Sequence, residues 1–292
     1  MPAARETGAR GGMAAMTARE AVSSAVDALT AAGCDTPRLD AELLVADALG
    51  VDRAALVIEP ATAVPPPAAR IVGERVRRRI AREPVAYILG RRGFRHIELD
   101  VDRRVLIPRP ETELLVEIAL ELPPGARVHE VGVGSGAVVL ALLDERPDLV
   151  VTASDASPVA VAVARANAER LGLPLEPFVA EGLAPPDAGV RAPGADGGWP
   201  PDLVVANLPY VREDEWAALA PEIRDYEPRG ALVSGADGLS AIRALVGQAA
   251  PGMSLALEHA PAQAAAVRDL LREARTRRDL AGRERVTVGV AP

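Results

Sequence analysis

Ala126-Arg127-Val128-His129-Glu130-Val131-Gly132-Val133-Gly134-Ser135-Gly136-Ala137 is the stretch whose reading decides the fold. Its first half is a short apolar run that reads as a buried strand, and its second half is a glycine-rich turn opening on a helix near Ala137. Glycines let the backbone pass close to a ligand, and a helix N-terminus directs free N–H groups at the same place. Gly132, Gly134 and Ala137 satisfy the dinucleotide-binding pattern G-x-G-x-x-G/A, a weak signal alone because ordinary tight turns satisfy it too. A second apolar run, Leu149 to Ala153, leads to Asp155, at the spacing where a carboxylate accepts hydrogen bonds from ribose hydroxyls. A third, Leu203 to Ala206, stops at Asn207-Leu208-Pro209-Tyr210. Asn carries both an acceptor and a donor, Pro sets the turn, and Tyr supplies a flat wall. Such a tetrad can grip a planar –NH2 group, either a carboxamide or the exocyclic amine of a base. The turn and Asp155 suit NAD and S-adenosylmethionine (SAM) equally. Glu130 at the strand end and the tetrad favour SAM, because hydride transfer has no use for an amide-gripping group.

Working outward, strand-like and helix-like segments alternate. Strands are expected over 126–131, 149–154, 175–181, 203–207 and 254–259, helices over 137–146, 158–171, 213–220, 238–250 and 261–275, and an antiparallel edge strand over 285–290. This order predicts an α/β fold, with a doubly wound, Rossmann-like SAM-dependent methyltransferase domain over residues 108–292. Upstream, residues 13–90 read as a small helical bundle with three main helices. Apolar residues recur at helical spacing, Gly33 and Gly50 stop helices, and Pro37 and the Pro65-Pro66-Pro67 run open them. Residues 91–107 read as a linker hairpin broken at Asp100-Val101-Asp102, and residues 1–12 as a disordered N-terminus. The Pro/Gly-rich segment 185–201 reads as a loop and a candidate lid.

Composition excludes several classes. The chain has 292 residues, 49% of them hydrophobic, and a single cysteine, Cys34, so a disulfide framework and a thiolate zinc site are both excluded. Three scattered histidines, His96, His129 and His259, make no metal triad and are read as structural. No apolar run approaches the roughly 18 residues of a membrane helix, and no secretory signal is evident. A cytoplasmic protein that does not engage the membrane, and a monomer, are the expectations. A net charge of −8 argues against direct nucleic-acid binding by the whole chain. The exception is local: nine arginines lie between Arg70 and Arg95, a solvated helix face or a docking surface for an acidic protein or for RNA.

Further segments carry a resemblance: Pro84-Val85-Ala86-Tyr87-Ile88-Leu89-Gly90, Leu106-Ile107-Pro108-Arg109-Pro110-Glu111-Thr112-Glu113, Asp155-Ala156-Ser157-Pro158, Tyr226-Glu227-Pro228 and Ser234-Gly235-Ala236-Asp237-Gly238. With the glycine turn and the tetrad, they closely resemble the HemK/PrmC family of protein-(glutamine-N5) methyltransferases, which modify peptide chain release factors. The resemblance covers residues 17–290 and implies that the helical domain helps dock the release factor while the second domain binds SAM. By position it places Gly132-Val133-Gly134-Ser135-Gly136 at the methionine part, Asp155 at the ribose, and Glu181-Gly182 at the adenine edge, with Glu130 also among the cofactor-binding residues. Asn207, Leu208, Pro209 and Tyr210 would be the catalytic tetrad holding the glutamine of the Gly-Gly-Gln loop, with Asn207 also facing the cofactor.

The chain departs from the family pattern at three places. Glu130 and Glu181 stand where Asp is usual, keeping the charge at longer reach, and Gly182 follows where a bulkier residue often packs. Leu208 replaces the usual Pro, as in rRNA adenine-N6 dimethylases. Three other readings therefore stand beside the glutamine one: an adenine-N6 nucleic-acid methyltransferase, a non-catalytic SAM-binding paralogue, and an NAD oxidoreductase. Glu213, Asp214, Glu215 and Glu222 near the tetrad are poor electrostatics for the first.

Overall fold

The computed structural model describes residues 16–183 and 199–292. The N-terminal stretch expected to be disordered and most of the candidate lid, up to residue 198, lie outside the described residues. The chain divides into two compact units, Met1–Leu89 and Gly90–Pro292.

The first unit is helical: α1 (Ala18–Ala31), α2 (Pro37–Leu49), α3 (Arg53–Ile58), α4 (Pro66–Ile80) and α5 (Val85–Leu89). Thr17 and Glu20 close α1 with a reciprocal capping box, Glu20 N–H donating to Thr17 Oγ1 at 3.3 Å and Thr17 N–H to Glu20 Oε2 at 2.8 Å. Proline occupies the first turn of α2 and α4, where its missing N–H costs nothing. Ala18, Ala21, Val45, Leu56, Val64 and Val72 interlock as its core. Most arginines of α4 are used internally. Arg79 is buried on Asp40 at 2.7 Å, Arg75 meets Asp47 at 2.6 Å, and Arg78 meets Glu83 at 2.8 Å. Arg70 and Arg77 remain exposed.

The second unit begins with a hairpin, β1 (Arg91–Phe94) and β2 (Ile97–Asp100), which turns at Arg95-His96 and not at Asp100-Val101-Asp102. Arg95 takes φ +49° there and its guanidinium is held by Glu145. A seven-stranded sheet follows, built from β3 (Arg127–Val131), β4 (Val150–Asp155), β5 (Phe178–Val179), β6 (Leu203–Ala206), β7 (Ser254–Glu258), β8 (Arg272–Arg278) and β9 (Glu284–Val290). Its helices are α6 (Glu113–Leu120), α7 (Ala137–Glu145), α8 (Pro158–Leu171), the short α9 (Pro221–Arg224), α10 (Ser240–Gln248) and α11 (Ala264–Asp269). The strand order is β5-β4-β3-β6-β7-β9-β8; the first five are mutually parallel, and β9 runs antiparallel to both of its neighbours, β7 and β8.

Three expected elements change. The helix over 261–275 stops at Asp269 and gives way to β8, so β9 is interior and β8 is the edge. Glu, Ala and Arg in 272–278 favour helix locally, but those residues have no apolar face to bury as a helix, and pairing with β9 satisfies their backbone. A charged edge strand also resists pairing with other chains. Residues 213–218 form only a 3-10 turn before Pro221, and the strand expected over 175–181 shrinks to Phe178–Val179.

Two consequences of the order matter for function. The chain runs from β3 outward to β4 and β5, then crosses back to β6, so β3 and β6 flank the point where the winding direction reverses. Ligands of open α/β sheets bind beyond the carboxyl ends of strands at such a point. In addition, Val204, Ala206, Leu255 and Leu257 are buried with Ile242, Leu245 and Val267 of α10 and α11. Alternate residues leave a strand on opposite faces, so Asn207 and Glu258 emerge on the other face, where α6 packs on β6 and β7.

Candidate active site

A cavity of about 770 Å³ opens beyond β3, β4 and β6. The glycine turn forms its floor. Gly132 and Val133 donate N–H to Ser154 O at 2.8 and 3.0 Å, which bends the chain off β3. Gly132 has φ +86°, and a Cβ there would sit 3.4 Å from Leu208 Cδ2 and 3.8 Å from Asn207 O, so the turn and the tetrad pack against each other across the strand crossover. Asp155 brackets the turn: Oδ2 accepts Gly134 N–H at 3.0 Å and Oδ1 accepts Ser157 N–H at 2.8 Å. Each oxygen keeps a further lone pair for a hydroxyl. Behind the turn the buried Asn167 donates to Ser135 O at 2.9 Å and exchanges bonds with Asp100, tying the floor to β2.

Glu130 lies in the wall, 3% exposed, accepting Val139 N–H at 3.3 Å. Burial, reinforced by the charge of Asp155, pushes its carboxyl well above the ordinary range, against the Val139 bond. A cationic ligand would reverse that. Glu181 and Gly182 border the far end, where Gln248 from α10 occupies the space a side chain at 182 would need: a Cβ there would lie 2.1 Å from Gln248 Oε1. Gln248 Oε1 accepts Leu183 N–H at 2.6 Å, so this chain closes that end with an amide reaching from another helix.

The roof is the 106–112 segment, held by the 226–228 segment. The buried Glu227 accepts Arg109 Nη2 at 2.6 Å and Ile107 N–H at 3.2 Å. This anchors Thr112 beside Asn207, whose Nδ2 donates to Thr112 Oγ1 at 3.0 Å. The carboxamide is thereby oriented with one N–H bound to Thr112 and its carbonyl end turned from that bond.

Glu130, Gly132, Val133, Gly134, Ser135, Asp155, Glu181, Gly182, Asn207, Leu208 and Pro209 all line this one cavity. Two expected site residues do not. Gly136 caps the start of α7 with φ +87° and turns into the core, where a Cβ would lie 2.7 Å from Leu140 Cδ1 in the next turn of that helix. Tyr210 points its hydroxyl away, to Glu258 Oε1 at 3.4 Å, while its carbonyl accepts Gln263 Nε2 at 2.9 Å. Glu258, Gln248, Asn167 and Glu227 were given no role by the sequence reading. For Glu258 the signal was present, since an acidic residue ends the apolar run Leu255-Ala256-Leu257 just as Asp155 ends β4, and Glu130 lies one residue before the end of β3. Two of the three histidines are held by internal bonds: His129 bridges Thr152 Oγ1 and Ser154 Oγ at 2.8 and 3.1 Å, and His259 joins Ala260 O and Thr287 Oγ1 at 2.9 and 2.8 Å. Among the described residues no group of His, Cys, Asp and Glu suits a metal, and no helix is long and apolar enough to cross a membrane.

The volume falls within the range of small-molecule sites, and the acidic wall with one carboxyl under a desolvation penalty suits a cation bearing a ribose. Comparison with known proteins agrees. A family model described as PrmC N-terminal domain matches residues 20–90, and one described as Methyltransferase small domain matches residues 110–189. A release factor glutamine methyltransferase of Cereibacter sphaeroides is 40% identical over 288 residues, spanning 95% of this chain and 99% of its own. Proteins of the same description from Caulobacter vibrioides (38% over 294 residues, 94% and 96% covered) and Burkholderia pseudomallei (40% over 297 residues, 94% and 99% covered) are similar to the same extent.

Proposed function

This chain belongs to the release factor glutamine methyltransferase family, and on that premise we propose that it transfers a methyl group from SAM to the side-chain amide nitrogen of the glutamine in the Gly-Gly-Gln loop of a peptide chain release factor, in the cytoplasm. When bound, SAM supplies an electrophilic methyl on a sulfonium centre. Residues of the cavity floor would hold it, with Asp155 accepting from the ribose and Glu130 offsetting its positive charge.

The protein's share of the chemistry is orientation. An amide nitrogen is a poor nucleophile because its lone pair is delocalised into the carbonyl. Asn207 Oδ1 and the Leu208 backbone carbonyl would accept the two N–H hydrogens, which turns the lone pair toward the donor and favours pyramidalisation. This is positioning and preorganised electrostatics, with no covalent intermediate and no general base. Leu208 serves as well as Pro here, since the group used is a carbonyl. The carrying observation is the Asn207–Thr112 hydrogen bond, which leaves the carbonyl end of Asn207 for the acceptor.

The test is transfer of labelled methyl from SAM to a purified release factor, beside a copy with the Gly-Gly-Gln glutamine changed to alanine. Label on the first and none on the second is expected. The Asn207→Ala enzyme is expected to bind SAM with a modest loss and to transfer nothing. Turnover near wild type in that variant would remove the mechanism.

A further inference from the structure

One buried carboxyl group beside Asn207 has no part in that mechanism. The parallel register pairs Ala206 with Leu257, so Asn207 and Glu258 are the next residues on neighbouring strands, on the face under α6. Thr112 stands at the N-terminus of α6 and takes the Asn207 Nδ2 hydrogen bond; the Tyr210 hydroxyl meets Glu258 Oε1 at 3.4 Å, and the Thr112 hydroxyl is near enough to Glu258 to favour its ionised form. Glu258 is 1% exposed, and its Oε2 has no hydrogen bond among the described residues. A buried carboxyl so incompletely satisfied destabilises a fold that an apolar residue of similar size would serve better. Packing therefore gives no reason for it.

We propose that Glu258 is a positioning residue, which acts through Thr112 and Tyr210 to keep the carbonyl end of Asn207 toward the acceptor amide. A threonine hydroxyl has one proton. Once that proton is directed to the Glu258 carboxylate, the Thr112 oxygen can only accept, so only the NH2 end of Asn207 can face it. Protonation of Glu258 removes the demand. The hydroxyl is then free to donate to Asn207 Oδ1, and the flipped carboxamide presents N–H groups to N–H groups. Burial pushes Glu258 up to about 7, opposed by Thr112, Arg285 of β9 and Tyr210, and assisted by the charge of Glu111 in the turn before α6. The ionisation that sets the relay thus falls near neutral pH.

The inference rests on the acceptor role given to Asn207 above, and the experiment separates the two. Wild type, Glu258→Gln, Thr112→Val, Thr112→Ser and Asn207→Ala are compared for kcat and KM on release factor between about pH 5.5 and 9, with SAM affinity by calorimetry as a readout independent of turnover. Glu258→Gln and Thr112→Val are each expected to lose roughly ten- to hundredfold in kcat while SAM affinity stays within about threefold. Thr112→Ser, which keeps the hydroxyl, is expected within about threefold of wild type, and the Glu258→Gln/Thr112→Val double variant no slower than the slower single. The wild-type kcat should rise through about pH 7, and that rise should be missing from Glu258→Gln. An unchanged rate and pH profile in Glu258→Gln, with Asn207→Ala still inactive, overturns the relay and leaves the acceptor role standing. Activity in Asn207→Ala overturns both. If Glu258→Gln fails to fold, the threonine pair decides: Thr112→Ser as impaired as Thr112→Val refutes the relay.

Discussion

Replacing Glu258 by Gln should slow the enzyme and yet stabilise it above neutral pH, because the wild-type carboxyl is held where its charge is unfavourable. Burial moves its pKa from the ordinary 4.5 to about 7. Well below pH 4.5 both folded and unfolded chains carry the proton, and the full stability is present. Between 4.5 and about 7 the unfolded chain loses the proton while the folded chain keeps it, so stability falls by ~1.36 kcal/mol per pH unit. Above about 7 the loss levels off, at about 3 kcal/mol. Glutamine does not titrate and escapes this loss. The assay is urea denaturation of both proteins at several pH values from about 5 to 8, comparing the difference in unfolding free energy between variant and wild type. That difference should move in favour of Gln by roughly 2–3 kcal/mol from the acid end to the alkaline end. A difference constant across the range would refute the placement of a carboxyl group in a dry site beside Asn207, and with it the physical basis of the relay.

His129 should show the opposite slope. Burial holds its ring down to about 4 from 6.5, so the stability present above pH 6.5 is lost as the unfolded chain takes up a proton, by about 3 kcal/mol at the acid end, and His129→Gln should abolish that dependence in acid denaturation. Gly132→Ala should cost about 1–2 kcal/mol of stability from its φ of +86° and also lower SAM affinity at least roughly tenfold by calorimetry, because the methyl enters the turn–tetrad contact. Gly125→Ala, at φ +75° with open space around it, should lose stability alone; equal SAM affinities in the two variants would refute the cavity assignment of Gly132. SAM binding should release a proton from Glu130, whose carboxyl is raised by burial and by the charge of Asp155, so affinity should increase with pH. Binding heats that do not vary with the buffer's ionisation enthalpy would rule this out.

Legibility followed the range of the interactions. The strands β3, β4, β6 and β7 were readable because parallel strands buried on both faces are continuous apolar runs. The helices α7 and α8 were readable because Ala137 follows a glycine turn and Ser157-Pro158 is a local cap. The segment 272–278 was not, because Arg-Glu-Ala-Arg-Thr-Arg-Arg carries helix propensity and only the partner strand β9, with its hydrogen-bonding groups presented, makes it a strand. In the site, the glycine turn, Asp155 and the tetrad announced themselves by residue type and spacing. Asn167 and Gln248 gave no such signal, and Glu227 lay in a recognised segment without a role, since each acts on a backbone group 32 residues or more away in the chain.

The amino-acid sequence by itself therefore determined the class of fold, the edge of the sheet where the cavity opens, and most of the named residues that line it, because apolar periodicity, glycine turns and strand-ending motifs are properties of neighbouring residues. Tertiary structure alone decided which end of Asn207 faces the cavity, that Tyr210 serves Glu258 in place of the wall, and that Gly136 belongs to the core. Those outcomes depend on which strands are adjacent and in what register. The pairing of Ala206 with Leu257 sets Asn207 beside Glu258 under Thr112, three residues spread over almost half the chain whose chemistry exists only once the sheet has brought them together.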